Sequence, residues 1–261
     1  MYIRPKSSAM KTKLYLALLS AALSALATEA QTGLYPDLQT IIPQHLQIQN
    51  TQQRELLRFS NGIANTGAGD LRLRAQNPID DINQPQLAVQ EILDAGRNII
   101  FETVVSEFEY HPAHKHWHIN DVALFEIHSG SPTGPLAGTT SVKVTFCLID
   151  WFKLDGNSKT PDRNYFDCYD IHQGISPGWV DQYHHELEGQ ELDITGIQPG
   201  LYYLVSTCNP EHHFLETSYL NNTAWVSFIL KRDSSGNPKI EITGNSPCGS
   251  PGLCGVGIPN R

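Results

Sequence analysis

The sequence predicts an all-β protein, a β-sandwich-like single domain with long ordered loops. Several short segments alternate apolar and polar residues, which is the pattern of strands that bury one face. The 261 residues include 20 Gly and 16 Pro, and no long segment has a helical period. That composition is typical of a loop-rich β protein. The chain is long enough to bury one sizeable core.

The strands are predicted in chain order, and the alternation is clearest over residues 55–64, 70–75 and 141–148. Residues 55–64 and 70–75 flank the Gly-containing residues 65–69, so we predict a hairpin there. Residues 76–98 are polar and are predicted to form a long excursion. Residues 150–180 are rich in Asp, Asn, Gly and Pro and are predicted to form an ordered loop. The other predicted strands cover residues 99–110, 122–127, 141–148, 191–194, 201–207 and 223–232.

The first 30 residues are predicted to be a secretory signal peptide. Lys11 and Lys13 precede an apolar run over residues 14–27, and small residues that suit cleavage follow. The run is short for a membrane span, and Met10 is the more natural initiator. We therefore expect a domain over residues 31–261 that is secreted or lies in the periplasm or cell envelope. The whole chain has a formal net charge of −9, and this acidic balance favours cations over nucleic acid as partners.

Five Cys residues in an exported chain predict disulfides and one remaining thiol. Cys248 and Cys254 could close a small loop. Cys147 and Cys168 could tie a strand to the loop over residues 150–180, which would leave Cys208. Spacing alone leaves the other pairings open.

The segment from Phe108 to His118 contains four of the eleven His residues. Three of them, at positions 114, 116 and 118, alternate with Lys115 and Trp117, so they share one face of an extended strand. Three imidazoles on one face suit copper or zinc and leave a coordination position open. They span about 13 Å on a straight strand, so we predict a bend or strong twist that begins at Pro112. A surface His tract with adventitious metal affinity is the alternative.

Several motifs in order resemble the catalytic domain of the lysyl oxidase family, particularly its prokaryotic branch. The copper segment of the family matches Phe108, Tyr110, His111, Ala113, His114, His116 and His118. Five further motifs of the family follow in order: K-x-x-F-C-L at 143–148, N-Y-x-x-C at 164–168, Q-G-I at 173–175, D-x-Y-x-H at 181–185 and D-I-T at 193–195. The last match is N-P at 209–210 with the loop that runs from Glu216 to Asn221-Asn222.

The resemblance implies that His114, His116 and His118 bind copper. It also implies that Lys143 and Tyr183 condense into lysine tyrosylquinone, the built-in organic cofactor of the family. The implied reaction is oxidative deamination of primary amines by molecular oxygen to aldehydes, with release of hydrogen peroxide and ammonia. Candidate bases at family-like positions are Asp121 and His185, with Asp181 near Tyr183. The resemblance also implies a Cys147–Cys168 disulfide.

A second site is implied by family members that bind calcium. The matching positions here offer oxygen ligands, as a hard cation requires: Asp37, the Leu38 carbonyl, Glu216, Ser218, Asn221 and Asn222. Ser218 stands where the family usually has Asp, which removes one charge. The alternative is an Asn-rich turn between two strands.

The sequence thus predicts a secreted copper amine oxidase that acts on primary amines, including peptidyl-lysine. The main alternative is an exported copper-binding protein of the same fold that forms no quinone. A zinc hydrolase is a weaker alternative, since it would require a water-activating carboxylate beside the metal.

Overall fold

A computed structural model describes residues 32–51, 53–78, 81–138, 145–156, 160–169 and 172–259. The described residues contain strands and no helix, so the predicted all-β class is confirmed. The strands are β1 Leu38–Thr40, β2 Gln44–Asn50, β3 Glu55–Asn65, β4 Leu71–Ala75, β5 Gln86–Leu93, β6 Ile99–His111, β7 His116–Ile119, β8 Ala123–Ser129, β9 Phe152–Lys153, β10 His172–Ile175, β11 Trp179–Tyr183, β12 Glu191–Asp193, β13 Gly200–Cys208, β14 Thr223–Arg232 and β15 Pro238–Asn245.

The strands form three antiparallel sheets. In the first, β3 is central and pairs with β1, β2, β11 and β12, while β9 extends β11. The second has the order β10-β4-β5-β6-β7, and the third the order β15-β14-β13-β8. The residues from Gly33 onward make one compact unit.

The predicted hairpin between residues 55–64 and 70–75 is wrong, because β3 and β4 lie in different sheets. Both edges of the end of β3 are already occupied, since Asn65 pairs with Leu38 of β1 and Ala64 with Val180 of β11. The connection instead packs against the preceding chain. A Cβ on Gly69 would lie 2.0 Å from the carbonyl oxygen of Leu34, so only glycine fits.

The predicted polar excursion over residues 76–98 is also wrong, since it contains the buried strand β5. Its polar side chains are buried with partners from elsewhere in the chain. Gln90 exchanges hydrogen bonds with the backbone of Leu215. Both Arg72 and Arg74 lie 2.6 Å from carboxylate oxygens of Glu91. These partners satisfy polar groups that would otherwise be costly to bury.

The loop predicted over residues 150–180 contains β9, β10 and the start of β11. Of the strand predicted over 141–148, residues 141–144 lie outside the described residues, and the rest forms one isolated bridge between Phe146 and Ile119. The strands predicted near 99–110, 122–127, 191–194, 201–207 and 223–232 are present as β6, β8, β12, β13 and β14.

The core joins the sheets through a run of aromatic contacts. Phe59 of β3 meets Phe125 of β8 edge to face at 4.9 Å between ring centroids. Phe125 contacts Phe146, and Phe146 packs 4.0 Å from the ring of Tyr183. The three Phe side chains are almost fully buried. Aromatic burial therefore fixes the end of β11, where Tyr183 lies.

The predicted signal peptide over residues 1–30, with Met10 as the start, lies outside the described residues. In the portion of the chain that is described, no helix has the length and apolar character needed to span a membrane. Both suggested disulfides, Cys147–Cys168 and Cys248–Cys254, are present, and Cys208 is a buried thiol.

Candidate metal centre

The His-rich segment folds into the β6–β7 hairpin at the edge of the second sheet. His111 pairs with His116 across the hairpin, and Glu109 pairs with His118. Residues 112–115 form the turn, in which Lys115 has a left-handed φ of 58°. His116 and His118 share one face of β7, and the turn brings His114 back toward that face. The predicted bend at Pro112 is present.

The three imidazoles converge on one point. Nδ1 of His114 lies 3.3 Å from Nε2 of His118, and Nε2 of His116 lies 3.0 Å from that same nitrogen. Imidazole nitrogens that share a copper or zinc ion at about 2.0–2.1 Å, with angles of about 90–110°, are roughly 2.9–3.4 Å apart. The three residues therefore fit a single transition-metal ion, and three imidazole ligands leave room for a small molecule.

His118 is the most firmly held of the three side chains. It is 1% exposed, its ring stacks on that of His111 at 4.8 Å, and its Nδ1 lies 3.3 Å from Oγ1 of Thr145. A hydrogen bond at the second ring nitrogen fixes the tautomer and orientation of a metal-binding imidazole. Thr145 therefore orients His118, a role that sequence reasoning did not identify.

Tyr183 ends β11 and points its hydroxyl at the backbone of Cys147. The hydroxyl oxygen accepts a hydrogen bond from the Cys147 N–H at 2.6 Å and donates one to the Cys147 carbonyl at 3.3 Å. Burial, followed by the nearby charge of Asp181, raises the pKa of Tyr183 well above its ordinary value. The phenol therefore stays protonated at neutral pH.

His114, His116 and Tyr183 line one cavity of about 330 Å³. Asp181, the charged residue of β11, also lines it. The rest of the wall is largely apolar and comes from the Cys147–Cys168 disulfide, Ile149, Trp151 and Leu187, with Gln182 as a polar member. Two of the three predicted metal ligands therefore share one cavity with the predicted quinone tyrosine, and the third, His118, contacts both of those imidazoles.

Of the other predicted catalytic residues, Asp121 and His185 lie elsewhere. Lys143 is outside the described residues. Asp121 follows β7 in a left-handed turn with φ of 60°, and its carboxylate lies 3.5 Å from Nδ1 of His213. His185 lines a different cavity with Gln47 and Glu186. Of the three carboxylate and imidazole candidates named from the sequence, Asp181 is the one on the wall of the Tyr183 cavity.

The residues of the predicted calcium site cluster where β1 meets the 216–222 loop. Glu216 accepts hydrogen bonds from the Leu38 N–H at 2.8 Å and from the Asn222 amide at 2.8 Å. The Asn221 amide lies 3.1 and 3.2 Å from the two carboxylate oxygens of Asp37. Ser218 instead accepts a hydrogen bond from the Leu220 N–H, within its own turn.

Two observations fit a hard cation in this cluster. The side-chain oxygens of Asn221 and Asn222 are buried and have no hydrogen-bond partner among the described residues. Burial also raises the pKa of Glu216, although hydrogen bonds from Asn209 and Asn222 oppose that shift. Buried carboxylate and amide oxygens are the donor set that calcium prefers.

Sequence reasoning missed a second imidazole cluster, made by His45, His184 and His185. The adjacent pair at 184–185 was visible in the sequence. Its approach to His45, well over a hundred residues away, depends on strand pairing that no local pattern shows.

An all-β domain that places three imidazoles beside a buried tyrosine defines a candidate copper or zinc centre with an organic reaction partner close by. The comparison with known families makes the class specific. The sequence model of the lysyl oxidase family matches residues 89–235, more than half of the chain, so the chain belongs to the lysyl oxidase family.

Curated relatives agree with this assignment. Lysyl oxidase homolog 3B of Danio rerio is 30% identical over 171 residues, which cover 65% of this chain and 17% of that protein. Lysyl oxidase homolog 1 of Homo sapiens is 34% identical over 115 residues, covering 44% of this chain and 19% of that protein. Homolog 3 of Homo sapiens is 29% identical over 171 residues. The chain spans less than a fifth of the length of these relatives.

Proposed function

We propose that this chain is a secreted copper-dependent amine oxidase. It converts primary amines, including peptidyl-lysine side chains, to aldehydes with release of hydrogen peroxide and ammonia. The observation that carries the proposal is the shared cavity, in which imidazoles suited to one transition-metal ion lie beside Tyr183. The relatives are named lysyl oxidase homologues, which supports the same chemistry.

We propose that His114, His116 and His118 hold copper and that Lys143 and Tyr183 form lysine tyrosylquinone. Position in the chain supports the pairing, because Lys143 stands two positions before Thr145 and Thr145 contacts His118. When bound, copper and the quinone would provide the redox chemistry by which molecular oxygen oxidises the amine.

The residues of the cavity prepare an amine substrate for this reaction. A primary amine reacts as a nucleophile only when it is deprotonated, and an apolar wall favours the neutral form. Trp151 and Leu187 supply that wall. Asp181 is the proposed proton acceptor because it lines the cavity with Tyr183. The sequence candidates Asp121 and His185 stay alternatives, to be separated by mutation.

The decisive experiment looks for the cross-link itself. The metal-free chain is incubated with copper and oxygen, digested, and analysed by mass spectrometry for a covalent link between the peptides of Lys143 and Tyr183. Lys143→Met and Tyr183→Phe should abolish both the link and hydrogen peroxide production from amines. Lys153→Met is the matched control, since that lysine lies over the ring of Trp179 and should leave the link intact.

The alternative function is an exported copper-binding protein that forms no quinone. It predicts one copper ion bound by the His cluster, with the two peptides recovered separate and unmodified. That result in copper-loaded, aerated protein would remove the oxidase proposal. An unchanged number of bound copper ions per chain in His116→Ala would remove both functions.

We further propose that calcium binds at Asp37, the Leu38 carbonyl, Glu216, Asn221 and Asn222. The buried amide oxygens of the two Asn residues support this assignment. Ser218 faces its own turn and is the weakest member of the set. Calcium titration followed by thermal unfolding tests the site, because a ligand that binds only the folded state raises Tm.

A further inference from the structure

The second imidazole cluster is built on both sides of the central strand β3. On one side, β2 pairs with β3 through a register shift between Gln44 and Gln47, and Gln44 pairs with Ser60. On the other side, Tyr183 at the end of β11 pairs with Asn61 of β3. Residues next to one another on β3 therefore bring together two distant parts of the chain.

The irregularity in β2 aims His45 into this cluster. His45 adopts a left-handed φ of 53°, which a residue with a Cβ rarely takes without a compensating contact. Its ring lies 5.6 Å from the rings of both His184 and His185, which are themselves 4.1 Å apart. The strained backbone thus places a third imidazole beside an adjacent pair.

The buried Ser60 contacts two of the three imidazoles. Its hydroxyl lies 3.0 Å from Nδ1 of His45 and 3.4 Å from Nδ1 of His185, and it accepts the His185 backbone N–H at 3.0 Å. A hydroxyl at Nδ1 leaves Nε2 as the ligand nitrogen, which is how neighbouring groups orient imidazoles in metal sites. Nε2 of His185 now accepts a hydrogen bond from the Gln47 amide at 2.9 Å. An ion would take the place of that amide.

Burial and spacing agree with a metal-binding arrangement. His184 is 2% exposed and His185 is 7% exposed, while His45 is half-buried. Each of the three residues offers a ring nitrogen within 4.8 Å of the other two. Nitrogens around one ion need a spacing of roughly 2.9–3.4 Å, so small side-chain rotations would close the site. The cavity of about 360 Å³ beside His185 provides access and a position for water.

We propose that His45, His184 and His185 form a second metal site that binds a borderline divalent transition ion such as Zn²⁺. Three neutral imidazoles and one water make a common coordination set for this ion. The ion joins β2 to the segment that follows Tyr183. The site shares no ligand with the cluster on the β6–β7 hairpin, and it does not depend on amine oxidase activity.

Metal counting on the full chain tests the proposal. Metal-free protein is loaded with Zn²⁺, desalted, and analysed for zinc per chain. We expect two ions in the unchanged chain and one in each of His116→Ala and His45→Asn, with none in the double variant. Asn is the chosen replacement because it tolerates the left-handed φ at position 45. His172→Asn, which removes an exposed imidazole outside both clusters, should keep both ions.

The number of zinc ions that each variant retains distinguishes this site from the candidate copper centre. If the β6–β7 cluster fails to bind Zn²⁺, the unchanged chain holds one ion and His45→Asn holds none, which still supports the second site. An equal zinc content in the unchanged chain and in His45→Asn overturns it. Ser60→Ala keeps all three imidazoles and should weaken Zn²⁺ binding about 10- to 100-fold.

A variant could lose zinc simply because it does not fold, so a second measurement uses only the unchanged chain. His-directed covalent labelling, read by mass spectrometry, compares the unchanged chain with and without Zn²⁺. Protection of His45 and His185 on zinc addition supports the site. Unchanged labelling of both residues at saturating Zn²⁺ refutes it.

Discussion

Replacement of Tyr183 by Phe tests the placement of this residue more directly than loss of activity does. The Tyr183 ring is 9% exposed, and its hydroxyl accepts the Cys147 N–H at 2.6 Å. Phe keeps the ring and its contact with Phe146 but leaves the buried Cys147 N–H without this partner. An unsatisfied buried donor costs about 1–3 kcal/mol. The variant should therefore lose that much stability before any copper is added.

The assay is denaturant unfolding of metal-free protein that was never exposed to copper, so no quinone contributes. In a parallel thermal scan, a loss of 1 kcal/mol corresponds to a Tm shift of about 2–4 °C for a domain of this size. Tyr169→Phe is the control, since Tyr169 is 75% exposed and a surface change of this kind costs less than about 0.5 kcal/mol. Equal stability of Tyr183→Phe and Tyr169→Phe would show that the Tyr183 hydroxyl does not hold the Cys147 backbone.

Three further predictions concern the metal sites and the disulfide. In equilibrium dialysis, His118→Ala should bind one copper ion fewer per chain than the unchanged protein. Thr145→Val should weaken binding at the β6–β7 cluster only about 10- to 100-fold, because Thr145 orients His118 without binding the ion. A raised pKa at Glu216 means that the folded state holds its proton longer than the unfolded state. Calcium-free protein should therefore lose stability as pH rises above the ordinary carboxyl range, and Glu216→Gln should lose less. Calcium should raise Tm at pH 7 more than at pH 4.5, and only in the unchanged chain; an equal rise at both pH values would contradict the assignment. Removal of the Cys147–Cys168 disulfide by a double Ser substitution should cost about 2–5 kcal/mol in urea unfolding, and an unchanged unfolding midpoint would contradict that.

The strands that were predictable are those whose sequence pattern and burial agree. The strand β14 spans Thr223–Arg232 in the structure, the same residues that the sequence predicts as a strand. The strand β5 was missed because Gln90 and Glu91 look like surface residues. Their partners, the Leu215 backbone and the Arg72 and Arg74 side chains, lie outside the segment itself. Local polarity is therefore a poor guide where a distant partner satisfies a buried group.

Strand pairing was less predictable than strand position. Alternation on both sides of residues 65–69 favoured a hairpin. In the structure β1 and β11 pair with the two edges of β3, so β4 cannot pair there. Which edge is free depends on long-range contacts, and a local turn signal carries no information about them. For the same reason, the sequence did not reveal that His45 lies near His185, because that proximity follows from a register shift in β2.

The convergence of His114, His116 and His118 was predictable because their spacing is local. The contacts that bring them close to Tyr183 come from one short distant segment. Thr145 contacts His118, and Phe146 exchanges backbone hydrogen bonds with Ile119 at the end of β7. The Cys147 N–H donates a hydrogen bond to the Tyr183 hydroxyl oxygen. Successive residues thus fasten the His hairpin and the end of β11 to the same piece of backbone.

This arrangement explains why the ligands and Tyr183 should respond together. The Cys147–Cys168 disulfide adds a covalent tie, and the Trp117 N–H between two of the imidazoles donates to the Cys168 carbonyl at 3.2 Å. A change that displaces residues 145–147 must therefore move His118 and Tyr183 at once. Copper affinity and cross-link yield should fall in parallel across such variants. A variant that lost the cross-link at unchanged copper affinity and unchanged Tyr183 position would instead locate the defect in Lys143.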